Sequence, residues 1–169
     1  MKRIIFMALV IFSTLLTNTF ASTWVTYDTK GFNKEHPDAL VFCFDKDSMM
    51  IYEPENNTDP KCIFFWEKVI FPADKAPEMK DIDYCLYLGR VDLDTLNYYS
   101  ALMACHTTSR GMLFGPKGKW EYRGNTNNPL HLLWIEQILK ESKGSSVTLI
   151  HKTVDLDNIT EEQVMNVNN

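Results

Sequence analysis

Residues 62–71 (CIFFWEKVIF) carry apolar side chains on both faces that a β-strand would present: Phe65, Val69 and Phe71 on one, Phe64, Trp66 and Ile70 on the other. A surface strand alternates apolar with polar residues, so a segment of this composition calls for cover on both sides. The cover for the second face has three possible sources: the chain's own loops and C-terminal tail, a second copy of the chain, or a ligand. Phe64, Trp66 and Ile70 are therefore candidate interface residues.

The same period-2 reading places strands at 23–28, 40–45, 49–52, 82–93, 98–107 and, more weakly, 111–114. Between them lie segments rich in Gly, Pro, Asn, Asp and Ser, the residues that supply turns by fixed φ, positive φ or side-chain hydrogen bonds. Strands joined by such short links favour an antiparallel meander, because parallel neighbours need long crossovers. One segment departs from this pattern. Asn128-Pro129 reads as an N-cap followed by proline at the first helical position. Leu130, Trp134, Ile135, Ile138 and Leu139 then share one broad helical face, with Gly144 placed to end the helix. The fold class expected is α+β, an antiparallel meander sheet packed by one C-terminal α-helix.

The N-terminus has a separate logic. Lys2 and Arg3 precede an apolar run over 4–16, and Thr19-Phe20-Ala21 offers small residues at both cleavage-specificity positions, the pattern of a secretory signal peptide. The run is short for a membrane span, which takes about 20 apolar residues. The expected organisation is a signal peptide at 1–21, a sheet-plus-helix domain at 22–144 and a C-terminal extension at 145–169. The extension offers a weak strand at 147–154 and a capping box at Thr160-Glu161-Glu162-Gln163. The localisation expected is export, to periplasm, cell surface or medium, with no membrane insertion after cleavage. About 148 residues would then remain, enough for one domain with a true core. With 17 basic and 22 acidic residues the chain carries −5, and loss of Lys2 and Arg3 takes it to −7. That sign, with no basic run, argues against nucleic acid as a partner.

All four cysteines, Cys43, Cys62, Cys85 and Cys105, lie after the signal, where an oxidising compartment can pair them. If Asp94-Thr95-Leu96 tips the hairpin between 82–93 and 98–107, paired residue numbers sum to about 190, setting Cys85 opposite Cys105, within disulfide reach. Cys43 and Cys62 are then left for each other. Ile82, Tyr84, Leu86 and Leu88 share one parity while Val91 and Leu93 have the other, which reads as a β-bulge at Gly89-Arg90 or as a strand end at Leu88. A bulge there would slip the register by one residue and compete with the Cys85–Cys105 pairing.

Signatures of catalysis are missing: there is no GxSxG, HExxH, SxxK or glycine-rich phosphate loop. Cys105-His106 are adjacent on a strand, so their side chains point to opposite faces and do not form a thiol–imidazole pair. His131 falls in the first turn of the helix on its apolar arc and reads as a satisfied histidine at the helix–sheet boundary. Asp45, Asp47, Asp92 and Asp94 read as turn residues rather than calcium ligands. No catalytic, cofactor or metal residues are assigned.

The order of these features resembles the surface-adhesin protein E family of secreted bacterial proteins. The resemblance is carried by Trp24-Val25, by Phe42-Cys43-Phe44-Asp45-Lys46-Asp47-Ser48, by Phe65-Trp66-Glu67-Lys68-Val69, by the strand from Tyr84 to Asp94, and by Trp120-Glu121-Tyr122 before the helix. It covers about 24–143 and implies an antiparallel sheet with a C-terminal helix. It also implies binding of host matrix or serum proteins, in some cases as a homodimer. Family members carry a cysteine near the position of Asp94 and another just after the helix; this chain has neither, so its disulfide scheme differs. No adhesive residues transfer. The function expected is that of an exported, non-catalytic binding protein with a protein ligand, with periplasmic small-ligand binding or envelope housekeeping as the alternative. A secreted enzyme comes third, to be revived by a buried cluster of His, Asp or Cys.

Overall fold

The described residues form nine strands and one long helix, most of the strands where apolar alternation and turn chemistry place them. The structure is a computed structural model and describes residues 22–29, 39–54, 59–73, 79–114, 119–144 and 148–150. In chain order these form β1 (Trp24–Thr26), β2 (Val41–Asp45), a 3-10 turn (Lys46–Ser48), β3 (Met50–Tyr52), β4 (Cys62–Ile70), β5 (Ile82–Asp92), β6 (Tyr98–Thr107), β7 (Gly111–Phe114), β8 (Glu121–Gly124), helix α1 (Pro129–Gly144) and β9 (Thr148–Ile150). The fold is α+β, a mostly antiparallel open sheet with one helix among the described residues. The expected signal peptide and the capping box at 160–163 lie outside those residues. Among them, no helix is long and apolar enough to cross a membrane.

Two strand positions are each shared by two short strands. β2 and β3 lie end to end along one edge of β4, β2 against Glu67–Ile70 and β3 against Cys62–Phe64. The turn between them inserts extra residues, and its Ser48 Oγ accepts the Trp66 N–H (2.9 Å) that the interruption would leave unpaired. Asp45 shapes that turn: its Oδ1 accepts the N–H groups of Asp47 and Thr23 (3.1 Å each), the role of a turn aspartate. On the far edge, β7 and β8 divide β6 in the same way. β8 was not anticipated, and β9 lies parallel to β3, an exception to the expected meander.

The register corrects the reading of Gly89. β5 runs unbroken through it, paired with Phe65 on β4 and Ser100 on β6, so there is neither a bulge nor a strand end at that point. The irregularities lie elsewhere, between Ile82 and Tyr84 and between Leu86 and Tyr87. The phase change has another cause. Leu88 and Val91 are both buried, but in clusters on opposite faces of the sheet.

One cluster joins Phe44, Ile63, Phe65, Val91 and Tyr98 to Trp134, Ile135 and Ile138 of α1. The other gathers Met50, Tyr52, Cys62, Phe64 and Leu88, with Trp66, Met103 and Trp120 against it. Helix α1 starts as its residues dictate: Asn128 Oδ1 accepts the Leu130 N–H (2.9 Å) and Pro129 opens the first turn. It is tied to the segment after β1 by Gln137, which accepts the Asp28 N–H (3.0 Å) and donates to Thr26 O (3.1 Å). Trp134 Nε1 adds a bond to Asp28 O (3.2 Å).

Candidate functional site

Glu67 sits on the Phe65 face of β4, where the period-2 pattern points its carboxylate toward α1. It is 5% exposed. The Tyr27 hydroxyl donates to its Oε1 at 2.7 Å, and the Tyr98 hydroxyl donates to the same oxygen. Oε2 receives neither bond. Glu67 lines a cavity of about 390 Å³ between the sheet and α1, together with Phe42, Val69, Tyr87, Tyr98, Ser100, Arg123, His131 and Trp134. This is within the size range of small-ligand pockets.

Two glycines make room for this arrangement. A Cβ on Gly89 would lie 2.6 Å from Phe65 Cζ; without it the Phe65 ring settles over β5, stacked near Tyr98 (6.5 Å between centroids, 15°). Gly124 (φ +157°) pairs with Tyr98 across β8 and β6, and a Cβ there would lie 2.5 Å from His131 Cε1. His131 therefore packs its Nδ1 edge against the Gly124 backbone. That nitrogen is buried with no hydrogen-bond partner among the described residues. A buried, unpaired N–H would cost more than an unpaired lone pair backed by a C–H, so the proton belongs on Nε2. Burial lowers the His131 pKa and keeps the ring neutral.

Burial dominates the electrostatics. It pushes the Glu67 carboxyl up to about 7, while the hydrogen bonds from Tyr98 and Tyr27 and the more distant Arg123 charge pull the other way. Burial and the Glu67 charge raise both phenols well above their ordinary value, so they remain donors at neutral pH. Arg123 is otherwise engaged: it pairs with Glu121 (3.0 Å), donates from Nε to Ser100 Oγ (2.7 Å) and lies over the Tyr87 ring (5.8 Å). Among the described residues no cation lies within ion-pair distance of Glu67, and no group of three or more His, Cys, Asp or Glu is placed to hold a metal ion.

The residues singled out from the sequence fall in several places. Cys85 and Cys105 are direct cross-strand partners on β5 and β6, both free thiols. Burial, then the hydrogen bond with Cys105, holds the Cys85 thiol up at about 12. Cys43 pairs with Lys68 while Cys62 begins β4 six positions earlier, which excludes their mutual disulfide: six residues of strand span about 20 Å. Of the proposed interface residues, Phe64 is buried and contacts the Trp120 ring (6.1 Å), Trp66 is half-buried, and Ile70 is exposed. His106 turns away from Cys105, bonding Asp83 through Nδ1 (3.0 Å) and stacking on Tyr84 (4.9 Å, 4°). Asp92 is an ion-pair partner of Arg90 (2.7 Å).

Glu67, Tyr27, Tyr98 and Arg123 were not singled out as site residues. The available signal was Glu67 itself, a carboxylate in phase with Phe65 and Val69. No protein-family model, curated protein or solved structure matches this chain.

Proposed function

We propose that this chain is an exported, non-catalytic binding protein that holds a small ligand in the cleft beside Glu67, with α1 packed over the Phe65 face of the sheet. The observation that carries this reading is a buried carboxylate on the wall of a cavity of about 390 Å³. Protein interiors are otherwise close-packed, and their acids paired with cations. The cleft walls supply rings and aliphatic groups for burial and a few fixed polar groups for orientation, as ligand pockets do. A thermal-shift screen of small fragments tests it. Hits should stabilise the wild type and lose their effect in Val69→Trp, which fills the cleft; hits indifferent to Val69→Trp, or none at all, would remove the proposal.

A second reading, adhesion to a host extracellular protein as the family resemblance implies, draws on the β7–β8 edge, where Phe114 is 67% and Tyr122 55% exposed. Retention from host matrix extract that falls in the Phe114→Ser, Tyr122→Ser double variant would favour it. Retention unchanged by that double variant would count against it.

A further inference from the structure

Among the described residues, no cationic side chain forms an ion pair with Glu67 in the cleft. Glu67 is buried with both tyrosine hydroxyls on Oε1, neither bond reaches its other oxygen, and the residue lines the cavity. Buried carboxylates are ordinarily paired, because an isolated one is costly. Among the described lining residues Arg123 is the only arginine or lysine, and Glu121, Ser100 and the Tyr87 ring already engage it. Lys68, next along the strand, points to the opposite face and lies over Trp24 (4.0 Å). The remaining walls mix aromatic rings with aliphatic Leu40, Val69 and Met79, and ring faces attract cations.

Resting on the cleft reading above, we propose that the ligand is an organic amine bound as its ammonium form. Its N–H groups donate to Glu67 Oε2, and its apolar body lies against Phe42, Val69 and Trp134. A carboxylate ligand would set its charge against Glu67. A quaternary ammonium has no N–H for Oε2, so primary and secondary amines are the better fit. The groups facing Glu67 from the packed elements are Tyr27 after β1, Tyr87 on β5, Tyr98 on β6, Arg123 on β8 and His131 on α1. Of these, Arg123 is the one standing cation, and it acts on Glu67 from beyond ion-pair distance.

The test uses three probes of one shape on the full mature chain: 2-phenylethylamine, 2-phenylethanol and 3-phenylpropanoate, titrated calorimetrically near pH 7. The amine should bind about tenfold or more tighter than either isostere, the discrimination expected of a charge-assisted hydrogen bond in a buried site. Because Glu67 titrates near neutrality, ammonium binding should also release protons, seen as a dependence of the heat on buffer ionisation enthalpy. Glu67→Gln should abolish both the preference and the release; should that variant fail to fold, the wild-type preference for amine over alcohol still decides. Equal binding of amine and alcohol overturns the amine proposal and leaves the cleft reading intact. Absence of binding by all three probes also overturns it, and if the fragment screen gives no cleft-dependent hit either, both fall.

Discussion

Replacing Glu67 with Gln should change how stability depends on pH, and the structure sets both sign and size. The carboxyl titrates near 4.5 when unfolded and is raised to about 7 in the folded chain, chiefly by burial. As pH rises past 4.5 the unfolded chain loses this proton first, so over the window from 4.5 to 7 the folded state holds more protons. Stability must therefore fall with rising pH across that window, and the loss is complete above it. At about 1.4 kcal/mol per pH unit the full cost is about 3 kcal/mol, of which about 2–3 kcal/mol appears between pH 5 and pH 8. Glutamine keeps an oxygen for Tyr27 and Tyr98 but has no proton to lose, so this component disappears. His131 tilts stability the other way, because its lowered pKa makes the unfolded chain the better proton binder in acid. It does so in both proteins and cancels in the comparison. Urea denaturation of wild type and Glu67→Gln at pH 5, 6, 7 and 8 measures the difference. The reasoning is refuted if the two curves run parallel within about 1 kcal/mol, for then Glu67 is ionised in the folded chain at no special cost.

The other predictions concern packing, sulfur chemistry and processing. Trp134 is 6% exposed, stacks on Tyr27 at 4.7 Å and bonds Asp28 O, so Trp134→Ala should cost about 3–5 kcal/mol by denaturant unfolding. Gly89→Ala forces a methyl into the fully buried Phe65 ring and should cost about 1–3 kcal/mol, with part of the loss recovered in the Gly89→Ala, Phe65→Leu double variant. Non-reducing peptide mapping of oxidised protein should show Cys85–Cys105 and never Cys43–Cys62. Burial keeps the Cys85 thiol protonated at neutral pH, so Cys85 is not the attacking thiolate in that oxidation. Mass spectrometry of exported material should give an N-terminus at or near Ser22, and retention of residues 1–21 would refute cleavage.

Much of the sheet was legible because its strands are long, apolar and bounded by strong turn residues; β6 and β7 carry the bounds read from the pattern. What escaped has identifiable causes. β8 reads Glu-Tyr-Arg-Gly, without apolar alternation, and is a strand only because the edge of β6 accepts it. β9 pairs in parallel with a strand almost 100 residues earlier, a partnership that no local pattern encodes. Gly89 was misread because burial on both faces of β5 imitates a phase change. The true irregularity opposite Leu86 and Tyr87 involves Leu102, Met103 and Ala104, three apolar residues among which an extra position leaves no mark.

The site was harder to see, since each of its parts is ordinary where it stands. Tyr27 and Tyr98 lie 40 and 31 residues from Glu67 and belong to apolar segments, so each passes for core packing. What sets them apart is the hydroxyl: a buried phenol needs an acceptor, and two of them on one sheet face call for an acceptor between them. Glu67 is the residue of β4 able to serve, being the acid in phase with Phe65. The same logic applies one strand further. The Phe65 ring occupies the space over β5 that a side chain at position 89 would need, so that position is glycine, and the ring then stacks with Tyr98 beside the carboxylate. The site is thus a consequence of how the core closes around one acid, and the core leaves space beside that acid where the cleft opens. Filling the space by Val69→Trp and neutralising the acid by Glu67→Gln act on different links of that chain: the first should abolish binding of every cleft ligand, the second only the preference for a cation.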